Sequence, residues 1–146
     1  MSKSDKQAEV TAPSKRSGKI KWIVGGLFLL FAAAAAMNLP RGYSDDLSRI
    51  GKGKAAVVLI RDKNAVQSFE LINVLDSVRA QYAGKVEFLL TDFDTPQGRA
   101  FIEANSAARA TLVLLDANGK FVKVLSAPQT AGSVQQEIAA SFGVNP

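Results

Sequence analysis

Residues 59–72 read LIRDKNAVQSFELI: an apolar run, a polar loop and the start of an amphipathic segment. In α/β proteins such a junction brings loop atoms and helix N-terminal N–H groups to one point, where ligands and reacting atoms are often held. This one offers Arg61, Asp62, Lys63, Asn64 and Ser68. Ser68 is the single hydroxyl of the stretch. As a nucleophile it needs a base, and Lys63 would serve only with its pKa greatly lowered. A serine in a first helical turn more often caps or faces water, which is the expectation for Ser68.

Other chemistry is sparser still. Asp92 and Asp94 close an apolar run that also carries Glu87. Paired carboxylates can hold a hard cation or move protons, but an aspartate before Thr-Pro usually serves a turn or cap. Gly51-Lys52-Gly53-Lys54 has glycine and lysine in the wrong order and place for a phosphate loop, since a strand follows it instead of a helix. The chain contains no cysteine and no histidine. That excludes disulfides, thiol nucleophiles, Cys/His zinc sites and imidazole general bases. The expectation is no catalytic residue, no metal and no cofactor.

The basic charge is unevenly placed. Of 18 Lys and Arg, six lie in residues 1–21 beside two of the 13 acidic groups, so the rest of the chain is nearly neutral. A nucleic-acid footprint would put the excess on the folded part, so no nucleic-acid partner is expected. Residues 1–19 are polar and Ser/Lys-rich, the composition of a disordered tail. From Trp22 to Pro40 no residue is charged. As a helix, those positions span roughly 28 Å, close to the hydrocarbon thickness of a bilayer. Residues 20–40 are therefore expected to form a single transmembrane anchor. The alternatives are a signal peptide cut near Ala32–Met37 and a buried core helix. Lys15, Arg16, Lys19 and Lys21 crowd the N-terminal flank, which places the N-terminus in the cytoplasm and residues 41–146 across the membrane. Residues 41–52, rich in Gly, Ser and charge, read as a linker with a helical turn near Ser44–Ile50.

The remaining residues, 53–146, must supply the elements that position the opening stretch. Residues 55–60 (AAVVLI) read as a strand buried on both faces. A helix is expected from about Ala65 to Tyr82, with Phe69, Ile72, Leu75, Val78 and Tyr82 as its buried stripe, Asn64 as N-cap and Gln67 completing a capping box. Gly84 ends it. Residues 85–93 form a second strand, with Val86, Phe88 and Leu90 on one face. Thr95 caps a short helix with Pro96 at its first position. Residues 110–116 form a third strand, and Asn118-Gly119 turns a hairpin into a fourth. Ser133, paired with Gln136 in a capping box, starts a last helix that Gly143 stops; Val134, Ile138 and Phe142 share its face. The order β-α-β-α-β-β-α predicts a mixed four-stranded α/β sheet with helices on both faces, the helical crossovers implying parallel pairing among the early strands.

That order and punctuation resemble the thioredoxin fold. The stretch YAGKVEFLLTDFDTPQGRAFIEANSAARATLVLLDANGKFVKVLSA, residues 82–127, is similar to the second half of thioredoxins, and the resemblance extends over roughly 50–143. It implies that the family's two redox cysteines would fall at the ends of Ala65-Val66-Gln67-Ser68, where this chain has Ala65 and Ser68 instead. The neighbouring tryptophan of the family corresponds to Asn64, and its cis-proline to Ala110, where a non-proline residue strongly prefers trans. Dithiol chemistry is therefore not expected. The expectation is a membrane-tethered, exported domain that binds an envelope protein in a groove between loops 61–68 and 108–111. Arg61, Lys63, Asn64, Arg109 and Thr111 form the candidate partner rim, suited to an acidic peptide segment unless they are simply solvated charge. The alternative is a component of a thiol-redox or envelope-biogenesis system whose partner supplies the cysteines.

Overall fold

The computed structural model describes residues 23–30 and 42–146. The chain divides into two compact units, 1–41 and 42–146. In the first, residues 23–30 are helical, and the side chains of Ile23, Val24, Leu27, Phe28, Leu29 and Leu30 are exposed. Among the described residues no helix is long and apolar enough to cross a membrane. The rest of the expected anchor, the tail and the peptidase site lie outside the described residues.

The second unit is built on β1 (Ala55–Arg61), α1 (Val66–Val78), β2 (Val86–Asp92), α2 (Pro96–Asn105), β3 (Thr111–Leu115), β4 (Phe121–Ser126) and α3 (Ala131–Phe142). The sheet order is β2-β1-β3-β4. β1 pairs parallel with β2, while β3 runs antiparallel to both β1 and β4. The expected parallel pairing therefore holds for the first crossover and not for the second. Arg61 is level with Asp92 and Ile60 with Thr111, so β2 ends and β3 begins at the same end of the sheet. α2 accordingly crosses the sheet instead of returning the chain along it.

Strand β1 is buried on both faces, as its unbroken apolar run requires. Val57 and Leu59 join Leu71, Leu75, Val78 and Ile138 in a core under α1 and α3. Ala56, Val58 and Ile60 join Phe101 and Val113 in a second core under α2. Val86, Phe88 and Leu90 share the first core as expected.

Leu75, Val78 and Tyr82 are buried as expected, but the face of helix α1 is turned at its N-terminal half. Ser68, Leu71, Leu75 and Val78 are buried, whereas Phe69 is exposed and Ile72 only half-buried. The α-helix also ends earlier, and Arg79–Tyr82 form a 3-10 turn. Its N-cap is Ala65, with no side-chain cap, so the Asn64–Gln67 capping box does not form. α2 starts as expected: Thr95 Oγ accepts from the Gly98 N–H, with Pro96 in the first position. At α3 the capping box is Thr130–Ser133, about one helical turn upstream of the expected Ser133–Gln136 pair, and Gly143 closes the helix at φ 66°. The Asn118-Gly119 turn is clamped by Asp116, whose carboxylate accepts the N–H groups of Asn118 and Lys120.

Residues 42–52, expected to be a linker, are packed on the domain. The Leu90 N–H donates to the Ser44 carbonyl at 3.0 Å, which adds a short parallel bridge to the free edge of β2. The Tyr43 hydroxyl donates to Asp76 at 2.9 Å, and the Arg79 guanidinium stacks 4.6 Å above the Tyr43 ring. The expected turn is a 3-10 helix at Leu47–Arg49, capped by Asp46.

Candidate functional site

Two segments meet at the sheet end where β1 stops and β3 starts. The first is the β1–α1 loop. Asp62 leaves β1 almost fully buried, and its carboxylate accepts the Asn64 N–H at 2.9 Å. Its own N–H donates to Ser68 Oγ at 2.9 Å, and its carbonyl accepts the Ala65 N–H. Ser68 is 1 % exposed. Its role is to hold the Asp62 backbone in place of water, so it is neither a solvated residue nor an accessible nucleophile.

The second segment is the α2–β3 loop. It opens with Ser106 at φ 49° and closes with Ala110 at φ 56°, both left-handed. Non-glycine residues hold such angles only where the surroundings over-determine them. At Ala110 the cause is visible: its N–H donates to the Ile60 carbonyl at 2.8 Å, extending the β3–β1 ladder. A proline could neither donate that bond nor adopt that φ. Among the described residues the cis peptide is Ala127–Pro128, after β4. Thr111 is buried, with its hydroxyl donating to the Ala108 carbonyl at 2.7 Å.

Between the two segments lies a cleft of about 590 Å³, lined by Asp62, Asn64, Ala65, Gln67, the 108–111 loop and Ser126–Ala127. The groove expected between the two loops is therefore present. Its chemistry is slight. Small apolar surfaces alternate with amides and one ion pair, in which Arg109 lies 3.4 Å from Asp62. The Arg109 guanidinium also sits 5.7 Å over the Phe93 ring, and its side chain is 67 % exposed.

The expected basic rim divides in two. Arg61 turns away to Asp92, donating from Nε at 2.6 Å and from a terminal nitrogen at 3.0 Å. Lys63 reaches the same carboxylate at 2.9 Å. The Arg61 hydrogen bond above all, and then Lys63, hold the Asp92 pKa down at about 2. The same bonds raise the pKa values of both cations. Asp92 is thus an ion-pair centre. Glu87 is paired separately with Arg49 at 2.8 Å, and Asp94 is exposed. Among the described residues no group of three or more Cys, His, Asp or Glu is placed to hold a metal.

Sequence reasoning missed the cluster beside the β2 edge, where Tyr43, Asp76, Arg79, Arg61 and Asp92 line a second cleft of about 610 Å³. Asp76 and Arg79 are one helical turn apart and pair at 3.4 Å, a visible spacing, but nothing local ties Tyr43 to them. Burial and the Asp76 bond raise the Tyr43 pKa.

No family model matches the chain, and no curated protein matches it. Among solved structures it resembles that of an uncharacterized thioredoxin-like protein from Clostridium perfringens. The match has a TM-score of 0.61 at 14% identity and covers 68% of this chain and 79% of the other. At that identity the likeness concerns the fold alone. The chain carries a thioredoxin-like fold and contains no cysteine.

Proposed function

We propose that this chain is a membrane-tethered, exported thioredoxin-like domain that docks an envelope protein in the cleft between its β1–α1 and α2–β3 loops, without thiol redox chemistry. The observation that carries the reading is a cleft at the position of the family's redox motif with no group of that motif able to react: Ser68 is buried and bonded, and Ala65 has no reactive group. A concave surface that has lost the thiols of its motif is suited to binding.

Tethering is supported by the uncharged run from Trp22 to Pro40 and by six large apolar side chains of residues 23–30 that are 59–74 % exposed. Such a helix has no polar side for water, which fits a lipid surrounding. The basic flank orients the exported domain, and the anchor raises the local concentration of any partner in the same membrane.

The test is photo-cross-linking in living cells from a photoreactive residue at position 67, which lines the cleft and is exposed. A discrete envelope protein trapped there, and not from position 120 on the hairpin turn, supports docking in the cleft. Adducts from position 120 alone would make the cleft vestigial. A trapped dithiol oxidoreductase would favour the alternative of a redox component whose partner brings the cysteines.

A further inference from the structure

The charges around the cleft sum to little, yet they are not presented equally. Arg109 and Lys63 have side chains 67% and 55% exposed, while the carboxylates they face, Asp62 and Asp92, are only 7% and 16% exposed. The anions are sunk and already hydrogen-bonded, Asp62 by the Asn64 N–H and Asp92 by Arg61. A partner entering the cleft therefore meets the Arg109 guanidinium before the carboxylate it faces. Arg109 is the less committed of the two. Its contact with Asp62, at 3.4 Å, is longer than a charge-assisted bond of about 2.7–2.9 Å, and its remaining contact is the Phe93 ring. A planar guanidinium with free donors is suited to a carboxylate.

An apolar step lies next to the same cleft. Val66 and Phe69, in the first turn of α1, are 68% and 54% exposed. Three residues apart, they are neighbours on the helix surface. Within residues 42–146 the other exposed large apolar side chains are Phe121 and Val122, on β4. Val66 and Phe69 thus join one turn of apolar surface to a cleft whose accessible charge is positive.

We infer that the cleft takes an extended acidic peptide segment of the partner, with a carboxylate on Arg109 and a flanking apolar side chain on Val66 and Phe69. Of the rim expected from sequence, Arg109 carries this recognition; Arg61 and Lys63 are both committed to Asp92, and Thr111 is buried. The inference rests on the docking reading above and adds the chemistry of the partner.

The test titrates the full chain in detergent against a fluorescein-labelled octapeptide alternating glutamate with leucine, and against the same peptide with lysine for glutamate. The glutamate peptide is expected to bind at least about tenfold more tightly, and to weaken as salt is raised. Arg109→Glu is expected to remove at least about tenfold of that affinity, and Arg109→Gln an intermediate share. Phe69→Ser weakens both peptides. Lys120→Glu, an equal change of charge at the far end of the sheet, leaves binding unchanged. Binding of neither peptide, equal binding of both, or indifference to Arg109→Glu overturns the inference. Such a result beside a partner trapped at position 67 removes the acidic class and keeps the docking. An empty trap removes the docking itself.

Discussion

Gly98 is the position where this fold is least tolerant of an added carbon. It is the third residue of α2, and a Cβ built there collides with the Asp92 carbonyl oxygen, stands 2.8 Å from its carbon, and lies 3.1 Å from Thr95 Oγ. Carbon atoms pack at about 3.5–4.0 Å, so helix and strand must separate by roughly 0.7 Å or more. The obstruction is backbone, with no flexible end to swing aside. Overpacking of this kind costs about 1–3 kcal/mol. The same displacement pulls on the Thr95 cap, which accepts the Gly98 N–H at 3.0 Å and donates to the Asp92 carbonyl at 2.8 Å, a further loss of about 1 kcal/mol. Against this, alanine is favoured over glycine in a helix by about 1 kcal/mol. Gly98→Ala is therefore expected to destabilise the domain by about 1–3 kcal/mol. In a domain of this size that lowers Tm by roughly 5–20 °C. The assay is thermal unfolding followed by circular dichroism, with urea unfolding as a check. A Tm equal to or above that of the parent chain, as helix propensity alone predicts, would refute the close approach of α2 to the end of β2.

Three further expectations concern the surroundings of the cleft. Asp92 has a folded pKa of about 2, below its unfolded value, so its ion pairs stabilise the fold fully above about pH 4. That contribution fades as pH falls from 4 through 2, and Asp92→Asn should remove about 1–2 kcal/mol at pH 7 and only a small part of that at pH 2, measured by urea unfolding at both pH values. Ser68→Ala strands the buried Asp62 N–H and should cost about 1–3 kcal/mol, read as a shift in urea midpoint. Tyr43→Ala removes the Asp76 bond and the Arg79 stack, and should speed hydrogen exchange at the Leu90 amide by at least about tenfold while leaving β1 amides protected.

The parts of the fold that were legible in sequence are those set by local chemistry. Six consecutive apolar residues in β1 admit only burial on both faces. Thr95-Pro96, Asn118-Gly119 and Gly143 mark turns whose φ values or caps follow from residue type. The groove between the two loops followed from the resemblance of that pattern to thioredoxins. The misreadings depend on which partners the fold brings to each residue, some near in the chain and some far away. Helix α1 carries two overlapping apolar stripes, and the one holding Phe69 is the more apolar by type. The face actually buried contains Ser68, because its hydroxyl is satisfied by the Asp62 N–H. Ser44 looks like linker until Leu90, 46 positions later, is seen to donate to its carbonyl. The direction of β3 depends on α2 crossing the sheet, which no periodicity records. Arg61 and Arg109 look alike as candidate rim residues. Only the position of Asp92 commits one and leaves the other extended.

Docking requires that the cleft be occupied. Ala108 lines it and is exposed, so Ala108→Trp fills the space without entering the core. Cross-linking yield from position 67 should be compared between this variant and the parent chain in cells, with Tm measured on both. Docking in the cleft predicts a yield at least about tenfold lower with Tm unchanged within a few degrees. Undiminished capture of the same partner by the filled cleft would contradict it.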